Sequence, residues 1–370
     1  MVKEIPFTEV NPVSKKIKLQ IKKDIDKIIK KKNFILGNEI KLFENNFSKI
    51  SKNKYAVGCG SGTDALVLAL MSLDLKKNDE VIVPGLTYIS TGLSVILCGC
   101  KLILSDIDNQ TGLISLDKIK EKISVNTKAV IPVNLYGQKV DLKALKKTIG
   151  NKIHIIEDSA QSHFALNSIT NKINSSKVSI AECYSFYPAK NLGAYGDGGI
   201  VTTNNKNIYN KLIALRNLGS IKKNKHFLVG LNSRLDTLQA VVLNNKLKSI
   251  LQLNNKRRFI GELYDNELKN VKGIKLTKTN KGSTRHLYVI RTKNRDKLKK
   301  YLLSKKISCQ MHYPYSLNNL IAFKKKIRKV KLKNSEIWAK ECLSLPMHPN
   351  LSKKDANRVV VEIKKYFKAL

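Results

Sequence analysis

The sequence predicts an α/β protein in which a mostly parallel sheet carries helices on both faces and a smaller C-terminal α+β domain follows. Three observations carry that expectation. From Lys54 to about residue 216, short apolar runs alternate with segments of helical period, the pattern of parallel strands joined by helical crossovers. The 370 residues exceed what one small core needs and suit a large domain plus a smaller one. A long helical region from about Ser233 to Lys269 then leads out of the alternating part, which gives domains of residues 1–250 and 251–370.

From Asn11 to Lys32, Val13, Ile17, Ile21, Ile25 and Ile28 recur at three- and four-residue steps and predict an amphipathic helix. A second helix is expected from Asn38, a good N-cap, and carries Ile40, Phe43 and Phe47. Strand candidates at 55–58, 80–83, 101–104 and 129–133 are followed by helical segments over 63–74, 88–97, 115–123 and 141–149. A fifth strand candidate, 153–158, comes next. After a turn-rich stretch, 199–203 reads as a strand and 205–216 as a helix. Beyond Gly273, strand candidates at 286–290 and 307–311 alternate with helices near 295–304, 334–343 and 353–368.

Composition narrows the function classes. No segment approaches the ~18 uninterrupted apolar residues of a membrane helix, and the start, Met1-Val-Lys-Glu-Ile-Pro, lacks the apolar core of a signal peptide. A cytoplasmic protein is expected. Six cysteines are scattered with neither a CxxC pair nor a Cys/His cluster of zinc spacing, so reduced thiols and no metal are expected. The net charge of +41 raises the question of nucleic acid, because phosphate contacts supply most nonspecific affinity. Its distribution argues otherwise: nine of the 69 basic residues are arginine, and the lysines occupy nearly every polar helix face without aromatic interleaving or a basic tail. A solvated surface that attracts anionic ligands nonspecifically is the favoured reading.

Chemistry concentrates in a few places. Ser185 to Gly199 is an island of small, aromatic and turn-forming residues in which Lys190 stands alone, after Pro188 and before a run of glycines. Glycines let the backbone turn tightly and approach a bound group, so Lys190 is a candidate nucleophile. Gly58, Gly60 and Gly62 lie between a strand and a helix, where free amides and the helix dipole bind phosphate; taken alone this is equally an ordinary tight turn. Tyr88 follows the next strand and reaches the same sheet end, where it stacks on a flat ring or packs at the rim. Asp158 ends a buried apolar strand and needs a cationic or donor partner, from a cap, a salt bridge or a ligand.

These stretches, with Phe34-Ile-Leu-Gly, Phe43-Glu44, Gly60-Ser-Gly-Thr-Asp-Ala-Leu, Thr87-Tyr88, Asn134-Leu-Tyr-Gly-Gln, Glu157-Asp-Ser-Ala-Gln, Leu215-Arg-Asn-Leu-Gly and Gly230-Leu-Asn-Ser-Arg-Leu-Asp, follow one order along nearly the whole chain. In that order the sequence resembles the nucleotide-sugar aminotransferases of the DegT/StrS type, fold type I pyridoxal phosphate enzymes, which implies a mostly parallel, seven-stranded-type sheet with helices on both faces. The resemblance implies that Lys190 binds the cofactor covalently and shuttles a proton, and that Asp158 keeps the pyridine nitrogen protonated. It implies that Gln161 bonds the ring's phenolic oxygen, that Tyr88 covers a ring face, and that Gly62, Thr63 and Ser185 hold the phosphate. Asn232 would reach that phosphate from a second subunit, implying a homodimer with shared sites. Arg234 would meet an anionic group of the substrate, and His163, His312 and Tyr313 would border the sugar. Alone, Asn232 is an N-cap, Arg234 a surface arginine and His312 a satisfied loop histidine.

The implied reaction moves an amino group from glutamate, leaving 2-oxoglutarate, to a keto group of a nucleotide-linked hexose. Asn294-Arg-Asp, His312-Tyr-Pro and Leu345-Pro-Met-His-Pro look most like relatives that aminate a 3-oxo sugar, which puts C3 ahead of C4. Relatives that dehydrate the sugar carry histidine in place of the lysine, so Lys190 speaks against that chemistry. A cofactor-binding regulatory protein is the remaining alternative. Two departures stand out: Phe164 occupies a position that is commonly glycine in the family, and 166–177 lacks the usual glycine-rich hairpin.

Overall fold

The computed structural model describes residues 3–369, apart from 168, 169, 171, 174–176 and 223. Part of the 166–177 segment therefore lies outside the described residues. Two helices open the chain, α1 (Lys15–Lys31) and α2 (Asn38–Ser51), the first capped by the Ser14 hydroxyl three residues later than the period suggested. Then come β1 (Tyr55–Cys59), α3 (Gly62–Met71), β2 (Glu80–Pro84), α4 (Ile89–Leu97), β3 (Lys101–Ser105), α5 (Leu116–Lys120), β4 (Thr127–Val130), α6 (Leu142–Ile149) and β5 (His154–Asp158). The strand–helix alternation is as the sequence predicts. β6 (Ala181–Ser185), β7 (Gly199–Thr203) and α7 (Lys206–Leu215) complete the alternating part.

The seven strands form one sheet in the order β1-β7-β6-β5-β4-β2-β3. β7 runs antiparallel to both of its neighbours and the remaining pairs are parallel. The carboxyl ends of β1, β2, β4, β5 and β6 consequently share one edge, the usual place for ligands in open α/β sheets. Val57, Leu68, Val81, Ile131, Ile156 and Val201 belong to the apolar core on one side of the sheet. An aromatic layer of Phe43, Phe47, Phe164, Tyr184 and Phe186 packs on the other, beneath α2.

The sequence reading missed β6, and the cause is Glu182, the second residue of the strand, where an apolar residue is expected. Lys139 Nζ lies 2.5 Å from a carboxylate oxygen of Glu182 and 2.5 Å from one of Glu157, so two buried carboxylates, one on β6 and one on β5, share a single cation from the loop after β4. Ser159 Oγ also donates to Glu182 at 2.7 Å.

A hairpin of β8 (Ser220–Lys222) and β9 (Lys225–His226) follows α7. The long helical region expected from Ser233 is two helices, α8 (Thr237–Leu247) and α9 (Ile250–Leu268), interrupted at Lys248 and Ser249. The chain closes with β10 (Lys275–Leu276), β11 (Tyr288–Arg291), α10 (Arg295–Ser304), α11 (Lys333–Glu341), β12 (Cys342–Leu345) and α12 (Lys353–Lys368). β10, β11 and β12 form a three-stranded antiparallel sheet. The expected strand at 307–311 is not one: Ile307 makes a single bridge to Ile5 and Gln310 one to Ser344. The strand beside β11 is instead Cys342–Leu345, cut from the end of the expected 334–343 helix, because its residues continue the buried face of the small sheet. That second core draws on α9, α10, α12, β11 and β12, together with Ile5 from the start of the chain.

Candidate active site

A cavity of about 420 Å³ opens at the carboxyl edge of the large sheet. Nine of the twelve residues singled out from the sequence line it: Gly62, Thr63, Tyr88, Asp158, Gln161, Ser185, Lys190, His312 and Tyr313. His163, Asn232 and Arg234 do not.

One end of the cavity is built for an anion. α3 begins at Gly62, capped by Ser61, whose hydroxyl accepts from the Asp64 amide at 3.0 Å. The amides of Gly62 and Thr63 in that first turn have no intrahelical acceptor and carry the positive end of the helix dipole. The Thr63 hydroxyl lies 2.7 Å from that of Ser90, which brings the starts of α3 and α4 together, a contact the sequence did not reveal. Glycine is required at 62 because a Cβ there would stand 2.5 Å from Cβ of Ser185, at the end of β6. A Cβ at Gly199 would be 2.2 Å from the Ser61 carbonyl oxygen, so three chain segments meet at this cradle without room for side chains.

Asp158 ends β5 inside the protein. Its carboxylate accepts from the fully buried Thr91 hydroxyl at 2.8 Å and from the Ala160 amide at 3.2 Å. Thr91 is in turn 3.0 Å from Thr87. Burial raises the Asp158 pKa above the ordinary carboxylate value, and these donors and the Lys190 charge work against that rise. Lys190 follows a turn closed by its own amide to the Tyr187 carbonyl at 2.8 Å. Burial lowers its ammonium to about 8, opposed by the Asp158 charge, and no hydrogen-bond or ion-pair partner holds the amine among the described residues. An amine of that acidity has a sizeable neutral fraction near neutral pH, which a nucleophile requires. Behind it the island folds back so tightly that a Cβ at Gly193 would meet the Pro188 carbonyl oxygen at 2.2 Å.

Gln161 is fixed at both ends of its amide: Oε1 accepts from the Tyr136 amide at 2.7 Å and Nε2 donates to the Tyr313 hydroxyl at 2.8 Å. The Tyr136 hydroxyl donates to the His312 carbonyl, and His312 Nδ1 lies 2.9 Å from the Ser344 hydroxyl. Burial and the Lys190 charge hold His312 down to about 4, so its ring is neutral at pH 7. Tyr88 is exposed, with its ring centroid 5.8 Å from that of Tyr313 across the cavity mouth.

The three residues off the wall have specific reasons. His163 is fully buried against Tyr184 and Phe186, and burial, with the Lys190 charge, lowers its pKa to about 3. The expectation that it borders the substrate gives way to an aromatic-core seat behind the cavity. The next residue, Phe164, adopts φ +56°, a left-handed conformation that favours glycine. Its ring stays there by packing on Phe47, 4.9 Å between centroids. Asn232 is exposed and Arg234 half-buried, on either side of the buried Ser233. Ser233 accepts from the Gly60 amide at 3.0 Å and donates to Asp64 at 2.7 Å, which ties this segment to the anion cradle.

Two motifs quoted for the resemblance are structural. Glu44 pairs with Arg216, and the pair grips Gly58 from both sides: Glu44 accepts its amide at 2.7 Å and Arg216 donates to its carbonyl at 2.8 Å. The end of β1 is thereby held under the cradle.

Two helix starts for a phosphate, a buried carboxylate for a protonated ring nitrogen and an unpartnered, acidified lysine are the groups pyridoxal phosphate requires. The cradle that a Cβ would fill and the lysine without a partner both fit that group. Residues 15–364 match the model of the DegT/DnrJ/EryC1/StrS aminotransferase family. The chain belongs to that family. It is a pyridoxal-phosphate-dependent aminotransferase. Among its relatives, UDP-2-acetamido-2-deoxy-3-oxo-D-glucuronate aminotransferase of Pseudomonas aeruginosa is 36% identical, covering 94% of this chain and 96% of that one. dTDP-3-amino-3,6-dideoxy-alpha-D-galactopyranose transaminase of Aneurinibacillus thermoaerophilus is 36% identical over 98% and 99%. The crystal structure of S. venezuelae DesV in complex with a ketimine intermediate superposes with a TM-score of 0.95, at 32% identity and 99% coverage of both chains.

Proposed function

We propose that this family member transfers the amino group of glutamate to the C3 keto group of a nucleotide-linked hexose, in an active site completed by a second copy of the chain. The observation that carries the reading is the opposition, within one cavity, of the unpartnered Lys190 amine and the buried Asp158 carboxylate beside the α3 cradle. Relatives whose names place the amine or the oxo group at C3 support the position.

Gly62, Thr63 and Ser185 hold the phosphate, and the α3 dipole offsets its charge. Asp158, oriented by Thr91, presents its negative charge to the ring nitrogen, and Gln161 presents its amide to the phenolic oxygen. Tyr88 covers one ring face. Bound there, pyridoxal phosphate supplies an electron-withdrawing ring that carries the amine between the two substrates. Lys190 would be the catalytic residue: with the cofactor bound, its Nζ would take the proton from the glutamate α-carbon and return a proton to C3 of the sugar. Glutamate leaves as 2-oxoglutarate and the sugar carbonyl becomes a CH–NH2 centre. His312 and Tyr313 border the sugar, and Arg234 meets an anionic group of it.

Asn232, exposed and outside its own cavity, reaches the phosphate of the partner's site. The exposed apolar side chains Ile221, on the neighbouring hairpin, and Phe227 and Val229, just after it, support burial of that segment in a homodimer. Residues 1–250 act as the cofactor-binding domain and 251–370 as the smaller one, a division supported by the separate second core. No helix among the described residues is long and apolar enough to cross a membrane. Six free cysteines, five of them buried, fit a reducing cytoplasm. The test is to offer 3-amino and 4-amino sugar nucleotides with 2-oxoglutarate and to measure glutamate. Conversion of 3-amino sugars is expected, and conversion of 4-amino sugars alone would refute the position.

A further inference from the structure

The cavity wall contains a histidine to which the mechanism above gives no part. His286, two residues before β11, is buried and lines the cavity together with Lys190 and Asp158. Its Nδ1 lies 2.9 Å from Oδ1 of Asn191, the residue that follows Lys190. Asn191 Nδ2 donates to Oδ1 of Asn254 at 2.8 Å and to the Thr284 carbonyl at 3.2 Å, which uses both of its amide hydrogens. Asn254 Nδ2 donates to the His163 carbonyl at 2.9 Å.

Two backbone carbonyls thus dictate the direction of every bond in this buried chain, because a carbonyl accepts and never donates. The His163 carbonyl makes Asn254 turn its amide nitrogen that way and offer Oδ1 to Asn191. The Thr284 carbonyl and Asn254 Oδ1 make Asn191 offer its own Oδ1 to His286. The reverse orientation of Asn191 would set its oxygen against two acceptors. His286 therefore carries its hydrogen on Nδ1, and Nε2 is left with a lone pair and no protein partner among the described residues. Burial first, then the Lys190 and Arg257 charges, hold the imidazole well below its ordinary pKa, so a second proton does not block that lone pair.

We propose that His286 is a further substrate-binding residue, a tautomer-locked acceptor whose Nε2 takes a hydrogen bond from a hydroxyl of the sugar that receives the amine. The assignment rests on the aminotransferase reading of the cavity. The acidic and amide acceptors on the wall have other partners: Asp158 accepts from Thr91 and Ala160 and faces the ring nitrogen in the proposed function, and Gln161 accepts from the Tyr136 amide. Glutamate brings carboxylates and the amine that is transferred. Only the sugar brings hydroxyl hydrogens that stay in place through the reaction. The lock also makes Asn191 a positioning residue, since it fixes the His286 tautomer and adjoins Lys190 in the chain.

The first test needs no turnover. In protein labelled with 15N-histidine, the six histidines are few enough for His286 to be assigned by its loss in His286→Asn. A protonated Nδ1 and an unprotonated Nε2 are expected at neutral pH, and the opposite tautomer overturns the lock. In the second test, His286→Asn keeps a donor near the Nδ1 position and removes Nε2. It is expected to raise KM for the keto sugar about tenfold, the order of one hydrogen bond, with kcat and the thermal midpoint little changed. A substrate analogue lacking the contacted hydroxyl should show that penalty with the wild type and none with His286→Asn. Equal penalties in both proteins, or a loss confined to kcat, overturn the role. If the wild type, loaded with cofactor, binds no sugar nucleotide in calorimetry, the proposed function and this role fall together, whereas the wrong tautomer removes only the lock.

Discussion

Thr91→Val tests how the buried carboxylate is kept charged. The substitution preserves shape and removes the hydroxyl that donates to Asp158 at 2.8 Å. Thr91 is fully buried, so water has no access to replace the bond. A hydrogen bond to a charged acceptor contributes about 1.5–3 kcal/mol, and one pKa unit corresponds to about 1.4 kcal/mol. The Asp158 pKa, already raised by burial, should therefore rise by about one to two further units. The sign follows from the charged form being the one stabilised: its loss enlarges the pH range over which Asp158 is protonated. The acidic limb of the glutamate half-reaction, followed by cofactor absorbance, should move up in pH by about one to two units. Cofactor affinity at neutral pH should weaken roughly tenfold or more. An unmoved limb with unchanged affinity would refute the assignment of Asp158 to the ring nitrogen.

Three further outcomes follow from the packing. Phe164→Gly releases a left-handed backbone strain of about 1–2 kcal/mol but removes a ring buried against Phe47, worth about 3–5 kcal/mol; chemical denaturation should show a net loss, and a gain would contradict the account. Lys139→Met leaves Glu157 and Glu182 buried without their cation and should cost about 3–5 kcal/mol at neutral pH. The pKa of Glu157 is already raised, by burial and by the Glu182 charge, and rises further in the variant. The deficit should shrink as pH falls through those raised values, and a pH-independent deficit would argue against the buried pair. Mixing Lys190→Ala and Asn232→Ala chains should restore activity, since exchange yields one site with both residues intact; no recovery in exchanged dimers would contradict a shared site.

Much of this was legible in the sequence because the determinants are local. Apolar runs alternating with helical period gave the sheet and its crossovers, and Lys190, Asp158 and the Gly62 turn sit at strand ends that topology brings to one edge. What escaped depended on partners distant in sequence. β6 was hidden by Glu182, whose charge makes sense only beside Lys139. Thr91 and Ser90 look like ordinary helix residues until α4 is laid against β5 and α3. His286 reads as the start of a strand, and its place on the wall is set by Asn191 and Asn254. His163 was overrated for the converse reason: its motif lies beside the site in the chain, but the left-handed turn at Phe164 accompanies a ring seated in the aromatic core.

The central claim is that one lysine among sixty carries the chemistry. Borohydride reduction of the cofactor-loaded protein, followed by peptide mass spectrometry, tests it most directly. The reduced pyridoxyl adduct is expected on the peptide containing Lys190 and to be absent from Lys190→Ala. An adduct on other lysines with Lys190 unmodified, or full transaminase activity in Lys190→Ala, would contradict the account.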